Sequence, residues 1–503
     1  MSGPSSTNTT RIPDPARLKQ PQLIAPRPST DSVRARVEVQ YHLCRQHGCG
    51  SPPRATGVTL EPVPQLTDPD ASTPNGPGAP RLTVVLTVHV VFTILYAALF
   101  SNVIWLMPLL VRLQFGSPDP AWRDWQTIAV TAAIPTFMTL SIFWGELLRH
   151  VSIRRYLAIF WVVAALPLGC VALVQNYWQL LVLHVIASAG AAGWMPVNGR
   201  LLKHFYPDQA RGRAYAVLNV ATLGGAAIAS YWMGLWMESH PQSFRVYFPI
   251  ASVAQIVGIA ILLWLVRHTN AEQKRESQPA RTEPPAAPSL RMLLRPLLHM
   301  GAVLRADRAF MMYEKAFMTY GAAYMLCEAL LPVLATARLG MRYEDYAHST
   351  LTVSRAVMVI FMLPFGWLLD RIGPVRVSGL AFGVLCVYPV LLLAAGDASG
   401  VALASVAWGI GLAGVMMSWM LGPMALAGTP ENVPVYVAIH ATLVGVRGIV
   451  FQIVGMVLYR VTQSFVWPLI AAAAAFAWAA VQMWQLHRST HWPAPAKAAP
   501  EPG

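Results

Sequence analysis

Glu328, Arg355, His440 and Arg447 are ionisable side chains that stand inside long apolar runs. A charge in such a run is costly and is a functional candidate by default. Glu328 and Arg355 fall at similar depths in consecutive runs, so an ion pair between them is geometrically reasonable. A carboxyl so placed binds a polar solute or a coupling proton, with the guanidinium tuning its proton affinity; the plainer reading is a structural pair near a wet rim. Arg447 sits in Gly445-Val446-Arg447-Gly448, where small neighbours let another helix approach closely. A guanidinium does not readily deprotonate, so Arg447 requires a carboxylate, carbonyls, water or an anionic solute, and a helix–helix tie is the alternative to a place in a central cavity. No acid at its own depth is obvious, since Glu328 lies nearer one end of its run. His440, seven residues earlier, lies two turns away on the same helical face and titrates near neutrality. His89, His184, Asn102, Asn219, Gln255 and Gln452 either line a polar cavity or bond across helices.

The elements that must hold these groups are apolar runs long enough to cross about 30 Å of hydrocarbon. Twelve are read: Leu82–Leu110, Trp125–Leu148, Tyr156–Val174, Trp178–Val197, Ala214–Met237, Tyr247–Val266, Phe310–Ala335, Ser349–Leu369, Val377–Ala395, Val401–Ala427, Val435–Tyr459 and Val466–Leu486. The chain of 503 residues is 55% apolar and only 12% charged, against about 25% charged in soluble domains. Its net charge of +14 does not point to nucleic acid. About 28 or 29 of the 37 basic residues fall in the termini and even-numbered loops, against about 6 on the other side, which makes the basic side and both termini cytoplasmic. Abundant Ala and an excess of Arg over Lys suggest a bacterial source, hence an inner membrane.

A charged turn, Gly366-Trp367-Leu368-Leu369-Asp370-Arg371-Ile372-Gly373-Pro374-Val375-Arg376, separates two of the runs, and a degraded copy, Gly145 to Arg155, lies about 221 residues earlier. The copy matches at Gly145, Leu147, Leu148 and Arg155, with Arg149 in place of the acid and Ser152 in place of the second glycine. The turn resembles the loop between helices 2 and 3 of the major facilitator superfamily, G-x-L-x-D-R-x-G-x-x-x, which occurs once in each half of that fold. The resemblance covers roughly residues 82 to 486 and implies an all-α integral membrane protein, twelve transmembrane helices in two six-helix bundles that alternate access around a central site. It also implies a gating role for Gly366, Asp370, Arg371, Gly373 and Arg376, with Asp370 capping a helix end or pairing with Arg371, Arg376 or a neighbouring loop. Gly145 and Arg155 carry the weaker first copy.

The expected layout is a disordered Pro/Ser/Thr-rich tail over 1–80, six-helix bundles over 81–267 and 309–487, a cytoplasmic connection over 268–308 and a disordered tail over 488–503. His42, Cys44, His47 and Cys49 could bind a soft metal, but their spacing fits no known zinc module, and neither metal nor cofactor is expected. Cys170, Cys327 and Cys386 read as packing residues. No nucleophile elbow, phosphate loop or HExxH helix is present, so an enzyme is not expected. The expected function is secondary transport of a small solute, anionic or carbonyl-bearing if Arg447 binds it, with a coupling proton, by a monomer. Uptake and efflux stay open; a transporter-fold sensor or assembly factor is the alternative.

Overall fold

The computed structural model describes residues 82–139, 144, 147–148, 151–206, 208–273, 300–427 and 433–489, and no strand occurs among them. The terminal tails, Gly145, most of the central connection and the Cys44/Cys49 cluster lie outside the described residues. Helix α1 is Leu82–Phe115. Helix α2 is Pro120–Thr131, resumed after Ala132 as Ala133–Met138. Then follow α3 (Ile153–Leu173), α4 (Tyr177–Leu202), α5 (Asp208–Ser239), α6 (Phe244–Gln273) and α7 (Arg308–Arg338). The stretch Tyr343–Ala394 holds α8 (343–372) and α9 (374–394), split at Gly373. Helices α10 (Ala398–Leu426), α11 (Val433–Thr462) and α12 (Val466–Ser489) complete the chain. The result is a twelve-helix membrane fold of two six-helix halves.

Helix starts follow local chemistry. Asp119 accepts hydrogen bonds from the Ala121 and Trp122 amides, with Pro120 at the first helical position. Asn176, Asp307 and Asp397 cap α4, α7 and α10 through the amides of Gln179, Phe310 and Gly400. The two motif turns solve their corners differently. Gly373 takes φ 79° and ψ 165°, a conformation open essentially to glycine alone. At the equivalent place Ser152 is extended and caps α3 through the Arg155 amide, which gives the loss of glycine in the first copy a physical reason.

Large apolar side chains, among them Ile228, Ile360, Leu363 and Val461, stand exposed on the helices. In water such surface would be unfavourable; facing lipid it is not. Cys327 is buried as expected for packing, whereas Cys170 is exposed. Short π-turns interrupt α1 at Ile94–Ala98 and Val111–Phe115, α7 at Leu334–Arg338 and α8 at Ala347–Thr352, the helices that carry the contacts described next.

Candidate functional site: a seam between halves and a charged tract inside the second

The described polar contacts that join the two halves lie towards the end of the bundle remote from the 366–376 turn. At the rim Arg112 of α1 is paired with Asp124 of α2, both buried. Asp124 also takes Arg460 of α11 at 3.2 Å, and Arg112 Nε donates to Thr336 of α7 at 2.9 Å. Glu238 at the end of α5 pairs with Arg342 at 2.8 Å and accepts the Tyr343 amide at 3.2 Å. Gln114 donates to the Tyr343 hydroxyl, and His348 stacks on Tyr231. Deeper in, Thr131 donates to Gln452 at 2.7 Å. Glycines permit this approach: a Cβ on Gly448 would collide with Pro135, one on Gly445 with Thr139, and one on Gly234 with Ala347.

Arg355 belongs to this seam. It is 6% exposed and does not pair with Glu328. Its guanidinium crosses from α8 to the other half and donates to Asn102 Oδ1 at 2.6 Å, to the Ser230 hydroxyl, and to the Ala226 and Ser101 carbonyls at 3.1 Å each. The expected Glu328–Arg355 ion pair is therefore corrected, because helix depth does not report on which side of its helix Arg355 leaves. Glu328 is half-buried and has no ion pair or hydrogen bond among the described residues; Tyr346 of α8 lies within electrostatic reach of both it and Arg355.

A second tract runs between α7 and α11, which are parallel neighbours. His440 Nδ1 meets both carboxylate oxygens of Glu314 at 2.9 and 3.0 Å, with the two residues 2% and 3% exposed. Phe317, Tyr313 and Trp419 surround the imidazole, whose Nε2 is buried without a hydrogen-bond partner among the described residues. Two turns on, Arg447 donates to the Phe317 carbonyl at 2.5 Å and lies over the Tyr320 ring at 5.4 Å. It folds against Gly321, where no Cβ would fit, and its Nε has no hydrogen-bond partner among the described residues. The seven-residue step from Glu314 to Gly321 matches that from His440 to Arg447. Glu314 was missed at the sequence level, although it too is an ionisable residue inside an apolar run and lies within electrostatic reach of Arg447. The rim cluster Arg112, Asp124 and Arg460 was missed because it flanks the runs rather than interrupting them.

The remaining candidates are placed as follows. Arg371 lies over the Trp367 ring at 3.9 Å and Arg376 bonds His487 at 2.7 Å, while Asp370 is exposed. Among the described residues neither arginine pairs with Asp370, since ring and imidazole hold them. Asn102 and Gln452 bond across the halves, whereas Asn219 turns back on its own helix. His89 meets the Tyr206 hydroxyl and His184 the Val130 carbonyl. Gln255 is buried, and neither of its amide atoms has a hydrogen-bond partner among the described residues.

Two helix sextets that meet along a seam, with ionisable groups held at mid-depth, define the architecture of a membrane transporter. The family model described as Major Facilitator Superfamily matches residues 89–459, and the chain belongs to that superfamily. No curated protein matches it. Among solved structures it is similar in fold to a POT family transporter in complex with 5-aminolevulinic acid, with TM-score 0.64 and 11% identity over 81% of this chain and 96% of that one. An auto-inhibited POT family peptide transporter matches with TM-score 0.63 and 14% identity over 84% and 99%.

Proposed function

We propose that this chain is a secondary active transporter that moves a small polar solute across a bacterial inner membrane by alternating access, coupled to a proton, with both termini cytoplasmic. The observation that carries this reading is the Glu314–His440–Arg447 tract. Three ionisable side chains enclosed between two membrane helices carry a large desolvation cost, and such groups mark substrate or ion pathways. The tract offers a carboxylate and, among the described residues, an imidazole with an unpartnered nitrogen and a guanidinium with an unpartnered Nε, which suits a solute bearing both a donor and an acceptor. The basic side, which includes Arg371 and Arg376, is the cytoplasmic one on this reading. The seam then closes the outer end, one of the two end states that alternating access requires.

The test is solute-driven proton movement in liposomes that contain the full chain and a trapped pH dye. 5-Aminolevulinic acid and short peptides come first, since structures of similar fold hold 5-aminolevulinic acid or a conjugated peptide, followed by amino acids and small carboxylic acids. Solute-dependent proton flux that disappears in Glu314→Gln is expected. Folded protein that gives neither flux nor solute counterflow with any of them would leave a non-transporting sensor or assembly factor as the better reading.

A further inference from the structure

Arg355 is a buried cation whose hydrogen-bond acceptors are all neutral: Asn102 Oδ1, the Ser230 hydroxyl and the Ser101 and Ala226 carbonyls. Among the described residues no carboxylate pairs with it, and the titratable groups found within electrostatic reach of it are Tyr247 and Tyr346. A guanidinium so enclosed calls for a counter-charge.

Beside these acceptors the seam holds a small cavity of about 20 Å³. Asn102, Trp105, Ser230 and Met233 line it from the first half, Tyr343 and Tyr346 from the second. Two of these residues carry buried polar atoms with no hydrogen-bond partner among the described residues: Asn102 Nδ2 and the Tyr346 hydroxyl. The residues themselves are 3% and 1% exposed. Tyr247 also lies near Asn102, but its hydroxyl donates to the Leu99 carbonyl at 3.1 Å and does not satisfy Nδ2. Both unpartnered atoms are donors. The neighbouring acceptor is already taken, since Asn102 Oδ1 receives Arg355 at 2.6 Å and the Ser230 hydroxyl at 2.5 Å. A water in the cavity would compete with those two for an acceptor for its own protons, whereas an anion needs donors only. The volume is that of about one water, so the anion is monatomic.

We infer that the seam binds one chloride ion, held by Asn102 Nδ2 and the Tyr346 hydroxyl, with Arg355 behind the amide as its counter-charge. Glu328 and Arg355 both lie within electrostatic reach of Tyr346, but only Arg355 is bonded to the Asn102 amide, which makes the Asn102 end of the site the positive one. The two ligands come from α1 and α8, so the site exists only while the halves meet at this end. Chloride therefore favours the closed state, and each opening of the seam releases it. The site stands apart from the transport reading and does not depend on it.

The experiment uses the purified full chain and no transported solute. Hydrogen exchange is followed in the segments around Ser101–Leu110 and Ala226–Ser239 at fixed pH and ionic strength while chloride replaces gluconate. In the wild type, protection of both segments rises about tenfold for each tenfold of chloride above half-saturation, because the ion binds only the closed state. Bromide substitutes for chloride, and its anomalous signal in a crystal lies between Asn102 and Tyr346. Tyr346→Phe removes only the unpartnered hydroxyl, so it melts no lower than wild type in gluconate. It needs about tenfold more chloride or more for half-saturation, since a hydrogen bond to a charged group is lost. Wild-type protection indifferent to chloride, a smaller shift in Tyr346→Phe, or a bromide-soaked crystal with only water in the cavity overturns the inference. If liposomes show no transport while the chloride response holds, the transport reading fails and the ion site survives. Transport without a chloride response means the reverse: the chain transports, and the site is wrong.

Discussion

Glu314 and His440 illustrate how much a buried charge depends on its partner. Removing one member leaves the other enclosed and uncompensated, which costs about 3–5 kcal/mol, whereas replacing both by apolar residues of similar volume is close to neutral for folding. His440→Ala should therefore lower the melting temperature in detergent, and the double change Glu314→Leu with His440→Leu should restore most of it. Solute-driven flux should be absent from both. Flux in the double variant would show the pair to be a structural tie. Arg447 responds differently, since a carbonyl and the Tyr320 ring hold it and Gly321 makes room for it. Gly321→Ala should destabilise by about 1–3 kcal/mol through overpacking, read as a drop in melting temperature. The ionisable groups at 328, 355, 440 and 447 were legible from residue type alone, because an apolar run makes any such residue conspicuous. The partners were not. Arg355 reaches acceptors more than a hundred residues distant on helices of the other half, and the pattern along a chain holds no record of helix rotation.

At the scale of elements, the corners and close approaches carry the testable content. Gly373→Ala forces an L side chain into a region that costs roughly 1–3 kcal/mol, so it should lower thermal stability, while Ser152→Ala loses only an N-cap at about 1 kcal/mol. The α9–α10 corner supplies a pH dependence. Asp397 is held below the usual carboxylate range by the Gly400 amide and the Ser399 hydroxyl. A carboxyl with a lowered folded pKa contributes stability above its unfolded value, near 3.9, and loses that contribution as pH falls through the folded value. Asp397→Ala should thus melt earlier than wild type at neutral pH, with the gap closing below about pH 4. A gap unchanged in acid would mean that the cap contributes through packing. Helix existence was readable from apolar length and most corners from Asp, Asn, Ser and Gly. The extension of α1 to Phe115 and the start of α8 near Tyr343 were not, because contacts to the other half, rather than local apolarity, hold those polar ends in helix.

At the scale of the molecule, Asp124 gathers Arg112 from its own half and Arg460 from the other. Asp124→Asn leaves two guanidinium groups facing one another across the seam without their shared anion. The protein should then populate the state open at that end, seen as faster labelling of a cysteine placed at Thr336 by a membrane-impermeant maleimide. Unchanged labelling would mean that the deeper contacts of Arg355 and Gln452 suffice for closure. The two-half organisation was visible in the repeated charged turn. The end at which this structure is closed was not, since the same sequence must serve both states.

Gly373 has one more consequence. A membrane-crossing helix that turns back through a single residue shares one joint with its successor, so α8 cannot tilt without carrying α9 along. Whatever draws Arg355 towards or away from the first half is a pull on one arm of a lever whose pivot stands in water at Gly373. Displacement too deep in the membrane for any reagent to reach thus surfaces as a change of angle at an exposed turn. An antibody fragment raised against residues 366–376 would act as a gauge of that angle. One that bound only a single angle would act as a brake, halting the far end of the protein from the opposite face of the membrane.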